Sequence, residues 1–92
     1  ADYRRCLAMG MGKLEAILAA ILRGASDHNI GFADLRYVLA EFGFDVRVKG
    51  DHFIYTRQGV AEIIHIQPLG SKAKAYQVKQ VRAIILKYKL AR

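Results

Sequence analysis

The sequence predicts a single α+β domain in which a sandwich of α-β-β-β-α order follows an additional N-terminal helix. Two observations carry this prediction: the apolar spacing changes from a helical to a strand period after Gly43, and it returns to a helical period near Ala75. A third is size, because 92 residues with an apolar fraction of 53% suffice for one compact core. We expect an extension at 1–11 and one domain over 12–92.

The two predicted N-terminal helices each end at a glycine. Apolar residues recur at the spacing of an amphipathic helix between Gly12 and Arg23, and Gly24 follows. This additional helix, 12–24, should pack along the domain edge or into a partner. After a polar connection, the spacing of apolar residues from Leu35 to Phe42 predicts a second helix that Gly43 closes.

Three strands joined by tight turns are expected next. Apolar and polar residues alternate from Phe44 to Lys49, and β-rich runs follow at His52–Arg57 and 60–67. Helical spacing then extends from Ala75 to Leu90. Because a three-stranded sheet cannot bury its apolar face alone, the second and last helices should lie across it, forming a core over 32–90.

Composition restricts the possible chemistry. A lone Cys6 cannot form an internal disulfide, which favours a reducing, cytoplasmic setting, and the apolar run 14–22 is too short to span a membrane. The chain lacks a Walker A loop, a GxGxxG turn, an HExxH motif and a GxSxG elbow. Without an evident group of acidic metal ligands, we expect no cofactor and, if the chain is a nuclease, metal-independent acid/base catalysis.

His52 is the leading candidate for catalysis. It follows Gly50 and Asp51 at the start of a strand, and an unperturbed histidine, with a pKa of ~6.5, serves as acid or base near neutrality. If Gln58 and Gly59 form a two-residue turn, His52 lies opposite His65, and two imidazoles could flank one phosphate. A structural role for each histidine is the alternative, and a bulge could move His65 to the other face.

Basic residues are concentrated in the last third of the chain. Of the 15 Lys and Arg residues, seven lie within 61–92, where Glu62 is the only acid, and the net charge is +7. This skew favours a polyanion partner, although a solvated helix face is the alternative. The candidate RNA-binding residues are Arg47, Lys49, Lys72, Lys74, Lys79 and Arg82, with Lys89 on the same predicted helix face as the last two. Tyr55 and Tyr76 could stack on bases or serve as packing.

One stretch of the chain resembles the HicA (YcfA-like) toxin family. The resemblance spans residues 14–90 and centres on the string Phe42-Gly43-Phe44 and on Val48-Lys49-Gly50-Asp51-His52-Phe53-Ile54-Tyr55, followed by the third strand and the basic helix. It implies a double-stranded-RNA-binding-like fold, mRNA cleavage that arrests translation, and neutralisation by a HicB-type antitoxin. It also implies that His52 is the catalytic histidine of the family's Gly-Ser-His motif.

Two positions depart from the family's pattern. Asp51 stands where the family usually has Ser, and its frequent Pro-x-His reads here as His65-Ile66-Gln67. Asp51 could orient the imidazole, favour its protonated form, or repel a phosphate. Two other functions remain open at this stage: a non-catalytic RNA-binding module in which His52 is incidental, and an adaptor that docks a partner through the helix 14–22.

Overall fold

The computed structural model describes residues 12–91. The predicted extension 1–11, including Cys6, and the final Arg92 lie outside the described residues. The elements in chain order are helix α1 (Lys13–Arg23), a 3₁₀ turn (Asp27–Asn29), helix α2 (Phe32–Glu41), strands β1 (Asp45–Lys49), β2 (His52–Arg57), β3 (Val60–Ile66), β4 (Pro68–Leu69) and β5 (Lys72–Ala73), and helix α3 (Ala75–Lys87). The predicted α+β class and the predicted order of the main helices and strands are confirmed. No helix within 12–91 has the length and apolar character needed to cross a membrane.

The sheet is an antiparallel meander in the order β1-β2-β3, and its two faces differ. Tyr55, Ile64 and Ile66 are buried on the face that meets the helices. Because side chains alternate between faces along a strand, His52 and His65 point to the opposite face, where both are exposed. The open face of the sheet therefore carries both candidate catalytic histidines.

Helices α1, α2 and α3 all contribute to one core. α2 lies over β2, where the rings of Phe32 and Phe53 meet edge to face with centroids 5.0 Å apart. α1 contacts both α2 and α3, and its Ile21 is fully buried. The additional helix is thus part of the domain. The buried helix residues are Ile21, Leu35, Val38, Leu39, Val78, Val81, Ile84 and Ile85.

Helices α2 and α3 end in the same way, and the second of these ends differs from the prediction. In α2 the amide of Phe44 donates to the carbonyl of Leu39, and in α3 the amide of Leu90 donates to that of Ile85, at 3.1 and 3.0 Å. This arrangement, a Schellman motif, needs a residue with positive φ directly after the end of the helix. Gly43 fills that position after α2, with φ 84°, and Lys89 fills it after α3, with φ 54°. The helix therefore ends at Lys87 rather than at Leu90, which packs back on the core.

A bulge of two extra residues in β3 sets the register between β2 and β3. Arg57 pairs with Val60, as the two-residue turn predicts, but Tyr55 pairs with Ile64. Three residues of β3, Ala61, Glu62 and Ile63, therefore face the single residue Thr56 of β2.

The C-terminal end of α3 stabilises this bulge. The bulged amide of Ala61 donates to the hydroxyl of Tyr88 at 3.1 Å, and that hydroxyl donates to Glu62 Oε1 at 2.6 Å. Lys87 Nζ lies 2.7 Å from Glu62 Oε2. The hydrogen bonds from Lys87 and Tyr88 lower the pKa of Glu62 to about 2.

Candidate active site and nucleic-acid surface

The two histidines of the open sheet face are in direct contact. His52 Nδ1 lies 2.7 Å from His65 Nε2, and the ring centroids are 4.9 Å apart. The prediction that His52 lies directly opposite His65 is wrong, because His65 pairs with Ile54. The bulge moves the register by two residues, which leaves every side chain on its original face, so the imidazoles meet diagonally.

Gln67 and Lys74 extend this contact into a chain of polar groups. Gln67 Nε2 is 3.4 Å from His52 Nε2, and Lys74 Nζ is 3.4 Å from Gln67 Oε1. The lysine can only donate, so it fixes which end of the amide faces His52. The amide NH₂ then points at His52 Nε2, and that nitrogen accepts. His52 consequently carries its proton on Nδ1 in the neutral state and donates it to His65.

Asp51 lies on the other side of this arrangement. Its Oδ1 is 3.5 Å from His52 Nε2, the nitrogen that carries no proton in the neutral ring. An acceptor facing an acceptor contributes no hydrogen bond, but the same carboxylate would face an N–H once His52 is protonated. The Asp51 side chain is 65% exposed, so water and salt screen this contact.

Access to His52 is open from solvent. The hairpin between β1 and β2 turns at Gly50, which has φ 64°, and Lys49 pairs with His52 across it. A Cβ placed on Gly50 would meet no atom within 4 Å. The side chain of His52 is 46% exposed. The imidazole of His52 is therefore accessible to a ligand from solvent.

Comparisons of the chain with protein-family models, with curated proteins and with solved structures returned no match. The chemistry assigned to the site accordingly rests on its own geometry. Within residues 12–91, no group of three or more His, Cys, Asp or Glu side chains is placed to hold a metal ion. The groups that the structure does bring together are two imidazoles, one carboxylate, one amide and neighbouring cations.

Three of the predicted RNA-binding residues lie at or beside the histidines. Lys49 pairs with His52 across the first hairpin, and Arg47 pairs with Ile54 on the same face of the sheet. Lys74, which immediately precedes α3, reaches Gln67. Strand pairing places Lys72 in the small β4–β5 hairpin, opposite Leu69. Arg47, Lys49 and Lys74 thus form a cationic border around His52.

Arg82 is held elsewhere and has a structural role. Its Nη1 lies 2.8 Å from Asp27 Oδ1 and 3.0 Å from the Ile21 carbonyl oxygen, and its Nη2 lies 3.1 Å from Asp27 Oδ2. The hydrogen bond from Arg82 lowers the pKa of Asp27, and the Asp27 carboxylate raises that of Arg82. A guanidinium that is already neutralised and turned toward α1 and the 3₁₀ turn is not available to a phosphate.

The predicted single basic face of the last helix is also absent. Lys79 is exposed on the side of α3 that faces Asp27, and its charge helps to lower the pKa of that carboxyl group. Lys89 lies beyond the end of α3. Neither is joined to the histidine site by a hydrogen bond or an ion pair. Of the two candidate stacking residues, Tyr55 is 2% exposed and accepts a hydrogen bond from Arg36, so it belongs to the core. Tyr76, at 64% exposure, is free to meet a ligand.

Gln67 is the site residue that sequence reasoning missed. One signal could have identified it: Gln67 stands at the position where the family that the chain resembles has the histidine of its Pro-x-His. Its backbone amide donates to the buried Gln77 Oε1 at 3.0 Å, which fixes the chain at the end of β3. Gln67 is therefore held by α3 while its side chain bridges Lys74 and His52.

Proposed function

We propose that this protein is a small metal-independent endoribonuclease that cleaves mRNA, a toxin of the HicA type with His52 as its reactive residue. The observation that carries the proposal is the contact of His52 with His65 at 2.7 Å on an exposed sheet face, within reach of Gln67 and Lys74. An acid and a base in contact, beside cations and open to solvent, are what cleavage of a phosphodiester at a ribose 2′-hydroxyl requires.

The pair can supply both proton transfers of the reaction. One ring with an added proton serves as the acid, and the other, neutral ring serves as the base. As base, His65 Nε2 removes the proton from the 2′-hydroxyl once the substrate separates the rings, and O2′ attacks phosphorus. The P–O5′ bond breaks, and the leaving oxygen takes the Nε2 proton of the protonated His52. The products are a 2′,3′-cyclic phosphate and a 5′-hydroxyl.

The cations around His52 can hold the phosphate of the RNA and stabilise its charge during the reaction. Lys74 approaches from the start of α3, a helix terminus with no acidic residue in its first turn, and Lys49 approaches from the hairpin. Charge developing on the phosphate oxygens is stabilised best by donors that are already in place. Arg47, two residues from Lys49 on the same strand face, extends the surface along the RNA backbone.

The toxin identity is part of the same proposal and rests on the resemblance described above. This identity implies a double-stranded-RNA-binding-like fold and a cytoplasmic location. It also implies mRNA as the substrate and a HicB-type antitoxin as the partner. The topology of three antiparallel strands between helices supports the classification. No cofactor enters the proposed reaction.

The test is cleavage of a defined RNA by the purified chain. We expect wild type to leave a 2′,3′-cyclic phosphate and to spare the same oligonucleotide with a single 2′-deoxy residue at the cut site. His52→Ala should lower the rate by ~10²- to 10⁴-fold, as is usual for loss of an acid/base group. His28→Ala is the matched control, because His28 is an exposed histidine of the 3₁₀ turn, away from the sheet. Induction in bacteria should show growth arrest and mRNA loss with wild type and His28→Ala only.

The same experiment separates catalysis from plain RNA binding. If a folded wild-type chain leaves RNA intact, binds it in a salt-dependent manner and is unaffected by His52→Ala, the nuclease proposal is refuted and the RNA-binding module is favoured. Charge reversal then locates the bound RNA. Lys74→Glu should weaken binding, while Lys79→Glu, on the side of α3 that faces Asp27, should have a smaller effect.

A further inference from the structure

We propose that His52 and His65 together bind one divalent transition-metal ion, Cu²⁺ more tightly than Zn²⁺, and that the bound ion turns the site off. His52 Nδ1 and His65 Nε2 lie 2.7 Å apart on the solvent side of the sheet. Neutral imidazole nitrogens are common ligands for Zn²⁺, Cu²⁺ and Ni²⁺. The proposal goes beyond the ribonuclease reaction, which uses no metal.

The spacing of the two nitrogens matches a shared metal after a small movement. With metal–nitrogen bonds of about 2.0 Å, two nitrogens stand about 2.8 Å apart at a right angle and about 3.3 Å apart in a tetrahedron. The rings therefore need to separate by a few tenths of an ångström, and the proton of His52 moves from Nδ1 to Nε2, where Asp51 Oδ1 lies 3.5 Å away to accept its hydrogen bond. The two free lone pairs can then turn to a common point. Both side chains are exposed, and neighbouring strands fix their backbones, so this rotation is local.

The ligand set also predicts the order of affinity. The observed separation is closer to the right-angle geometry of Cu²⁺ and Ni²⁺ than to the tetrahedral geometry of Zn²⁺, and imidazole sites generally bind Cu²⁺ most tightly. Asp51 faces the far nitrogen of His52, so it does not complete the same coordination sphere. Within 12–91 no third His, Cys, Asp or Glu joins the pair, and water fills the remaining positions.

A bound ion would occupy the lone pairs on which the proposed catalysis depends. His65 Nε2 could then neither accept the proton of His52 nor remove one from the 2′-hydroxyl, and the His52 ring would be turned away from Gln67. Inhibition by metal rests on the proposed ribonuclease activity, whereas metal binding does not. Metal binding and ribonuclease activity can therefore be refuted independently of each other.

The decisive measurement is calorimetric titration of Cu²⁺ and Zn²⁺ into the full chain at pH 7.5. All variants carry Cys6→Ser, because a thiolate would compete for both ions. We expect one Cu²⁺ per chain and at least a ten-fold loss of affinity in His52→Ala and in His65→Ala. His28→Ala, which removes the third histidine, should stay within two-fold of its parent. Circular dichroism confirms that each variant is folded.

Three results would overturn the metal site: no binding of Cu²⁺ to the parent chain at millimolar concentration, equal affinity in all three histidine variants, or tighter binding of Zn²⁺ than of Cu²⁺. RNA cleavage provides the second readout, in which saturating Cu²⁺ should abolish cutting and EDTA should restore it. Undiminished cutting by a Cu²⁺-saturated chain would refute the inhibition. A chain that binds Cu²⁺ at the two histidines but never cuts RNA would sustain the site and refute the ribonuclease.

Discussion

Removing the guanidinium of Arg82 should destabilise the fold and leave the RNA surface unchanged. Arg82 joins α3 to the turn before α2 through two hydrogen bonds to Asp27 and one to the carbonyl of Ile21. The side chains of Arg82 and Asp27 are 21% and 9% exposed, so the pair is largely withdrawn from water. In Arg82→Ala, the Asp27 carboxylate would stay buried without a partner.

The expected cost follows from that burial. Breaking a buried ion pair by removing one partner costs about 3–5 kcal/mol, and the partial exposure of Arg82 reduces this to about 2–4 kcal/mol. For a domain of this size the loss corresponds to a fall in Tm of roughly 10–20 °C. Asp27→Ala/Arg82→Ala should cost less than the sum of the single variants, because neither charge is then left unpaired.

Thermal unfolding followed by circular dichroism measures these changes, and RNA affinity is measured at a temperature where every variant is folded. Lys79→Ala is the matched control, since it removes an exposed cation one turn earlier on the same helix and should change stability by less than about 0.5 kcal/mol. If Arg82→Ala keeps its Tm but loses RNA affinity, the structural role of Arg82 is refuted and the original RNA-binding prediction is restored.

Two further predictions concern pH and helix termination. Because the pKa of Glu62 is lowered from 4.5 to about 2, its contacts with Lys87 stabilise the fold above pH 4.5 and are lost as the pH falls toward 2. In Glu62→Gln, Tm should therefore fall less than in wild type as the pH is lowered from 4.5 to 2. An equal fall in both proteins would contradict the stabilising role of Glu62. Lys89→Gly should raise the free energy of unfolding by about 0.5–1 kcal/mol, because Lys89 has a left-handed backbone. Gly43→Ala, at the matching position after α2, should lower it by about 1 kcal/mol; chemical denaturation that ranks the two variants in the reverse order would refute this reasoning.

Local sequence signals were sufficient for most of the fold. The 3.6-residue spacing of apolar residues located α1, α2 and most of α3, and the alternation after Gly43 located β1. These signals work because a helix or strand that buries one face places apolar residues at the period of its own backbone. The end of α3 was misplaced for the same reason, since Leu90 is apolar at a helical spacing but reaches the core from beyond the cap at Lys89.

The site was predicted in part. A two-residue turn at Gln58 and Gly59 predicted that His52 and His65 share one sheet face, and the structure places both on the open face. Their pairing was wrong in register because the bulge at Ala61 depends on the hydroxyl of Tyr88, which is 27 residues away in the chain. Had the bulge added one residue instead of two, His65 would lie on the buried face and no imidazole pair would exist.

The sequence by itself determined which segments are helices and strands, where the turns fall, and that cations are concentrated toward the C-terminal end. Only the tertiary structure decided which of those cations are free. Lys74 and Arg82 have the same charge and lie eight positions apart. Lys74 nevertheless reaches Gln67, the neighbour of His52, while Arg82 is neutralised by Asp27, 55 residues away. Charge and period are properties of single residues and their near neighbours, whereas the partner of a charge depends on how distant segments pack.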